Sequence, residues 1–445
     1  MAIETKDKNI SRFLTLFGEL ERGLNGQKEK PVHQIRQTAI DRLSQLAFPT
    51  RRDEEYKYTS VTRIVTEDYD LEPTAELDAA TVDQYRIPDL NAATLVFVNG
   101  QYRSDLSDEQ DLPEGMRLQT IEDALQQAKD QPILNDLLIN TAEDGVDPFL
   151  VMNAAFAKNG YYLHVPKKTE VEKPLHFLYI NTEQDKPYLF SPQRIIVAEP
   201  SSKCTIVETF HSTAPGTAKY FGNLFNRMVI RENAEVHHYK IQRESLEAFQ
   251  MNNTEVFQYQ DSRYSNYTID LGGRIVRNNL HAIHRGQNVT SNFYGSFYGR
   301  RDQHIDNHTF IDHAIPHCQS NELYKGILTD KARGVFNGKV MVRKDAQKTN
   351  AFQQNSSLVL SDKAVMDSKP QLEIFADDVK CSHGATIGQL EEDSVFYLRS
   401  RGLTDARARE ALQYAFLLEV LEFMPHEAMR TFAEQQINNK FTEAI

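Results

Sequence analysis

TSNFYGSFYG (290–299), ELYKGILTD (322–330) and GVFNGKVMV (334–342) decide the fold class of this chain. Each is a short run of alternating apolar, aromatic and polar residues bounded by Gly, Asn or Asp, the pattern of a β-strand between turns. The same texture extends upstream through YYLHV (161–165), HFLYI (176–180), CTIVETF (204–210), EVHHYKI (235–241) and RIVRNNLHAIH (274–284). Downstream it continues through NSSLVLS (355–361) and PQLEIFA (370–376). Helical periodicity is absent from 161 to 395, which excludes a βαβ sheet, because its crossovers need helices. A sandwich, a barrel or a β-helix remains. One sandwich of this length needs many long connections, whereas a solenoid grows by stacking similar coils, so a β-helix is favoured. The repeat is irregular and no strict period can be assigned. The chain reads as mainly β.

The flanks differ. Residues 1–160 read as mainly helical with loops: Phe13, Leu16, Phe17, Leu20 and Leu24 recur at helical spacing, as do Ile35, Ala39, Leu43 and Leu46. A polar stretch from Glu67 to Asp89 reads as loop, and LVFVNG (95–100) as a strand entering a turn. A helix is predicted from Ile121 to Leu138, broken at Pro132, and another from Asp147-Pro148 to Gly160. Residues 396–445 read as helical again, with Thr404 as an N-cap and a last helix from His426 to Asn438. Neither C-terminal helix buries its apolar stripe alone, so each must pack on the β-body or on a partner.

Composition narrows the function. The 445 residues carry 50 Lys and Arg against 63 Asp and Glu, a formal charge of −13, which disfavours nucleic acid or an anionic membrane surface as partner. The start MAIETKDKNISRF has no apolar signal core, and the longest greasy stretch, Tyr414 to Met424, is too short to span a bilayer. Cys204, Cys318 and Cys381 lie far apart and form no disulfide framework, so a cytoplasmic location is expected.

Several chemical motifs fail. GVFNGKV (334–340) is one residue short of a phosphate loop and lacks Ser or Thr after Lys339, so it reads as a strand-end turn. His426-Glu427 lacks the second histidine of a zinc-protease helix. His304, His308, His313 and His317, with Asp306, Asp312 and Cys318 nearby, are metal-ligand types. Strand alternation pairs His304 with His308, and His313 with His317, but polar stacking between coils, with histidines donating to backbone, is the favoured reading. The sharpest feature is Cys381-Ser382-His383 within DDVKCSHGATIG (377–388). An extended strand sets Cys381 and His383 on one face, about 6–7 Å apart along the chain. From the residues alone a structural role leads, metal ligation is second, since thiolate and imidazole suit iron, zinc or an iron–sulfur cluster, and a nucleophile–base pair is third. Two ligands alone complete no metal site.

The block HCQSNELYKGILTDKARGVFNGKVMV through CSHGATIGQLEEDSVFYLRSRGL, spanning 317–403, strongly resembles the SufB/SufD family of iron–sulfur cluster assembly proteins. FPTRRDEEYKYTSV (48–61) and LVFVNGQYRSDLS (95–107) add to the resemblance, with Tyr56 where the family usually has Trp. The Cys-Ser-His-Gly-Ala-Thr form at 381–386 is that of the SufD branch, since SufB chains carry Glu-Ala-Thr after the histidine. The resemblance implies a central right-handed parallel β-helix between N-terminal and C-terminal helical regions. It implies a complex with SufB and with SufC, an ABC-type ATPase docked on the helices from about Thr404 onward. It also implies a transient cluster shared with SufB across an interface where His383 faces a SufB cysteine and Cys381 is its neighbour. A reduced flavin on the whole complex, at no placed site, is a further implication. A β-helix surface and an apolar C-terminal helix also make a self-dimer the expectation when SufB is absent. The leading reading is therefore a non-enzymatic scaffold subunit. Its rivals are a purely structural partner of SufB, with His383 only an interface hydrogen-bonding residue, and a β-helix enzyme acting on polysaccharides through Asp302, Asp306 and Asp312.

Overall fold

The computed structural model describes residues 7–24, 29–109, 112–127, 129–139, 141, 143 and 145–442. Met1–Lys6, where the start of the chain was read, lie outside them, as does Ala128. Two sheets form the body. The first, among the described residues, contains β1 (Ala93–Val98) edged by β2 (Gln101–Tyr102), then β5 (Leu175–Asn181), β8 (Lys203–Ser212) and β10 (Glu235–Arg243). It continues through β12 (Arg263–Asp270), β14 (Thr290–Gly299), β16 (Gln319–Leu328), β18 (Asn350–Val359) and β20 (Lys380–Gly388). The second contains β3 (Arg117–Thr120), β4 (Tyr161–Val165), β7 (Gln193–Ala198), β9 (Tyr220–Ile230, with β6, Tyr188–Phe190, beside it) and β11 (Phe249–Gln258). It ends with β13 (Ile275–His284), β15 (His304–His313), β17 (Arg333–Val342) and β19 (Val365–Ile374).

From β8 onward the chain alternates between the sheets strand by strand, and each strand pairs in parallel with its counterpart one coil away. This is a parallel β-helix. Parallel pairing arises without crossover helices because each coil returns through the opposite sheet. Coil length varies, from 26 residues at Phe249–Ile275 to 32 at Arg333–Val365, which is why no period shows in the sequence.

One corner of the coil is a column of left-handed residues, Ser201, Asn233, Asp261, Asn288, His317 and Lys348. Successive coils join there through backbone bonds such as Asn233 N–H to Gln260 and His317 N–H to Gln347. Asn, Asp and His tolerate this conformation better than other side chains. His317 therefore sits in a turn (φ +63°), and does not share a strand face with His313 as the spacing suggested.

Three apolar layers hold the molecule. The lumen is filled by Leu95, Phe177, Ile206, Phe293, Phe297, Phe336 and their neighbours. N-terminal helices α1 (Lys8–Gly23), α2 (Pro31–Leu43) and α7 (Pro148–Phe156) cover the outer face of the second sheet at Phe221, Phe225 and Met251. The C-terminal helices cover the first sheet at Tyr239, Tyr267 and Ile327. These are α9 (Asp405–Leu418, capped by Thr404), a 3₁₀ turn over Glu419–Phe423 and α10 (Glu427–Thr442).

Several boundaries differ from the sequence reading. Glu67–Asp89, read as loop, contains the short α4 (Ala79–Asp83), and α3 (Thr62–Val65) lies just before that stretch. The helix predicted over 121–138 is two, α5 (Ile121–Leu125) and α6 (Gln131–Leu137). The break precedes Pro132, which occupies the first turn of α6, where a missing N–H costs nothing. The helix opened by Asp147 ends at Phe156, before Gly160. GVFNGKV lies inside β17 and is no turn, because stacking between β15 and β19 holds it extended. Strands β1 and β3, from the part read as mainly helical, are integral to the two sheets. A further helix, α8 (Glu392–Ser400), starts soon after β20.

Candidate functional site

Cys381 and His383 lie on β20, the last strand of its sheet, which pairs with β18 on one edge only. On β18, Ala351, Gln353 and Asn355 face the lumen and are buried, while Phe352 and Gln354 are exposed. The register Ala351↔Cys381 and Gln353↔His383 sets both site residues on the lumen side. No further coil covers them, so His383 is exposed and Cys381 half-buried. Ile374 and Ile387 are uncovered for the same reason, and Phe375 beside them is 65% exposed. Burial raises the Cys381 thiol, offset in part by a backbone hydrogen bond at Ala351. Imidazole and thiol at alternate positions of the last strand form a two-donor set at the uncovered end of the lumen. Among the described residues no group of three or more His, Cys, Asp or Glu is placed to hold a metal ion.

Beneath the pair lies a polar chain that sequence reading missed. Thr309 Oγ1 donates to Glu322 Oε2 (2.5 Å), and Gln353 Nε2 donates to Glu322 Oε1 (3.1 Å). Burial raises Glu322 to about 7, against the lowering effect of these two bonds. Glu322, Gln353 and His383 are successive rungs of one ladder through β16, β18 and β20. No local signal could have joined them, since their spacing is that of an irregular coil.

The histidines of 304–317 are dispersed. His304 and His308 share the outer face of β15, where they receive the 54–59 segment. Thr59 bonds to His304 Nε2 (2.8 Å) and to Asp306 Oδ2 (2.5 Å), and Arg277 Nη1 donates to the same Asp306 oxygen (2.7 Å). His308 contacts Glu55 (3.3 Å) and lies against Asp306. The Arg277 guanidinium stacks over the Tyr56 ring at 4.1 Å, and Tyr56 OH donates to Asp147 (2.5 Å). Burial raises the Asp306 carboxyl, but His308 and Arg277 together overcome it and leave it well below the ordinary carboxylate range. Burial lowers His304 to about 4. This cluster anchors the N-terminal segment to the β-helix.

His313 turns into the lumen and bonds Ser320 (2.9 Å), and Cys318 donates its thiol to the Gly286 carbonyl (3.3 Å). The carboxylates weighed as a polysaccharide groove are each engaged by arginine: Asp302 by Arg274, Asp306 by Arg277 and Asp312 by Arg343.

Comparison with known proteins agrees with the geometry. The family model described as "SUF system FeS cluster assembly, SufBD core domain" matches residues 179–416, and "SufBD protein N-terminal region" matches 7–177. An iron–sulfur cluster assembly SufBD family protein of Synechocystis is 35% identical over 408 residues, covering 90% of this chain and 89% of that protein. The iron–sulfur cluster assembly protein SufD of Escherichia coli is 28% identical, covering 91% of each chain. SufD of Bacillus subtilis is 26% identical, covering 97% of each. With its β-helix and its Cys-x-His terminal strand inside the matched region, the chain belongs to the SufBD family of iron–sulfur cluster assembly proteins.

Proposed function

We propose that this chain is a non-enzymatic, SufD-like scaffold subunit that meets a SufB chain through its terminal coil. There it presents His383, with Cys381 beside it, to an iron–sulfur cluster assembled as cargo. The observation that carries this reading is the uncovered end of the solenoid. A strand edge, exposed Ile374, Phe375 and Ile387, and a two-donor ligand pair coincide there. Exposed apolar edges are ordinarily blunted or covered, so this end calls for a partner β-surface. The partner's thiolate would complete the ligand set that this chain leaves at two donors.

The C-terminal helices supply the second contact. A groove of about 470 Å³ along α9, lined by Leu403, Arg407, Ala411, Tyr414 and Phe441, suits a SufC ATPase. Nucleotide hydrolysis belongs to that partner, and GVFNGKV, held inside a strand, takes no part in it. The complex works in the cytoplasm and takes up reduced flavin at no placed site. Without SufB, the same uncovered end pairs two copies of this chain. No helix among the described residues is long and apolar enough to cross a membrane.

The test is anaerobic reconstitution of the co-purified three-subunit complex, wild type against His383→Ala, read by visible absorption and Mössbauer spectra. Loss of cluster from an intact mutant complex is expected. Equal cluster content in both would leave this chain a purely architectural partner of SufB.

A further inference from the structure

We propose that Gln353, oriented by Glu322 and Thr309, is the positioning residue that accepts a hydrogen bond from the His383 imidazole and so selects its tautomer. The proposal rests on the reading of His383 as a ligand and adds how the ring is held.

Three observations converge. Gln353 and His383 are register partners on parallel strands, so their side chains leave the same face one rung apart, about 4.8 Å between strands. Gln353 is 3% exposed, and its Oε1 is a buried oxygen with no hydrogen-bond partner, an uncommon and costly state. Its orientation follows from its neighbour. An ionised carboxylate only accepts, so Glu322 takes the amide N–H (3.1 Å) and leaves the carbonyl end of the amide free. Thr309 in turn engages the other Glu322 oxygen (2.5 Å).

The fold also makes room for this amide. A Cβ on Gly338 would stand 2.3 Å from Gln353 Nε2 and 2.8 Å from its Cδ, so glycine there is a steric condition for the Gln353 conformer. Gln353 Oε1, a buried acceptor, belongs to the residue one rung beneath His383 on the uncovered coil. An imidazole N–H donated to Gln353 Oε1 leaves the other ring nitrogen with its lone pair directed outward, as a metal ligand requires. Ligating histidines ordinarily have such a second partner, whose loss costs roughly 10–100-fold in metal affinity.

The test reads the tautomer in the full-length chain without metal, by long-range ¹H–¹⁵N correlation of His383 at pH 8, where Glu322 is ionised. Wild type is expected to show one dominant tautomer, and Gln353→Met, which keeps the volume but removes the acceptor, a mixture of both. Glu322→Gln, which still accepts from the amide, should stay near wild type. If Gln353→Met does not fold, Gly338→Ala displaces the amide and should also give a mixture. A wild-type mixture, or an acceptor-free variant with the wild-type pattern, overturns the proposal. In the three-subunit complex, Gln353→Met should weaken ferrous-iron binding by about 10–100-fold. A tautomer shift in Gln353→Met together with full cluster content in His383→Ala would overturn the ligand reading while leaving the positioning role intact.

Discussion

Arg194 shows what a single side chain does inside this lumen. It is 1% exposed, donates to Glu208 (2.8 Å), Asn226 (2.6 Å) and Tyr179 OH (2.7 Å), and lies over the Phe177 ring. Glu208 also accepts from Asn226 (3.0 Å) and bonds His238 (3.0 Å), so the charge is fully enclosed. Removing one partner of such a pair leaves the other buried and unpaired, so Arg194→Ala should cost about 3–5 kcal/mol, read as a lower urea midpoint. An unchanged midpoint would show that water reaches Glu208. Glycine acts here through close approach. Gly295 pairs with Tyr324 and Gly326 with Phe297 across β14 and β16, and a Cβ on Gly326 would stand 2.0 Å from the Phe297 ring. Gly326→Ala should therefore destabilise by about 1–3 kcal/mol in the same assay, and a neutral result would mean the coils can part there.

Among the elements, the C-terminal helices depend most on the sheet beneath them. Phe423 stacks on Tyr294 (4.5 Å between rings), and Phe441 packs between Tyr298 (5.1 Å) and Tyr414 (6.2 Å). Lys325 sits under the Phe416 ring (4.4 Å) and pairs with Glu419, and Lys440 bonds the Leu271 carbonyl. Phe441→Ala should loosen α10 by about 3–5 kcal/mol while the β-helix persists. Hydrogen exchange should then accelerate over 427–442 and stay slow in β10, β12 and β14. Uniform acceleration would instead make helices and solenoid one cooperative unit. The 54–59 segment is tied differently, through Tyr56, Thr59 and the Arg277–Asp306 pair, which add a local polar anchor to the apolar docking of the N-terminal helices.

The whole molecule carries a pH dependence set by burial. Desolvation lowers His176 and His211 to about 3, His304 and His313 to about 4, and His284 well below its ordinary value. Their unfolded value is about 6.5, so their contribution is present above that pH and is lost as pH falls toward the folded values. At pH 5 His176, His211, His304 and His313 each lose roughly 2 kcal/mol. Burial raises Glu244 and Glu322 to about 7, so their contribution has the opposite sign: it is present below the unfolded value and is lost as pH rises through 7. The histidines outnumber these carboxylates, so the thermal midpoint should fall between pH 7 and pH 5. An equal midpoint at both would show that the histidines are solvated. Glu322→Gln should steepen this fall, because it removes one of the two opposing groups.

Alternation of side chains at period two is a local property, so the sequence alone determined strand texture, the absence of helices from the β-body and the cap residues Asp147 and Thr404. Cys381 and His383 were visible for the same reason, because two residues on one strand need only the pleat to share a face. Stacking register is non-local, set by how coils of 26 to 32 residues settle on one another, and tertiary structure alone decided it. It moved His317 into a turn, held GVFNGKV extended inside β17, and gave His304 and His308 to the Tyr56 segment instead of to a metal. It also brought Glu322 and Gln353, 31 residues apart, into the ladder beneath His383. A side chain's partner across coils is fixed by the path of the intervening chain, which no short window of sequence contains.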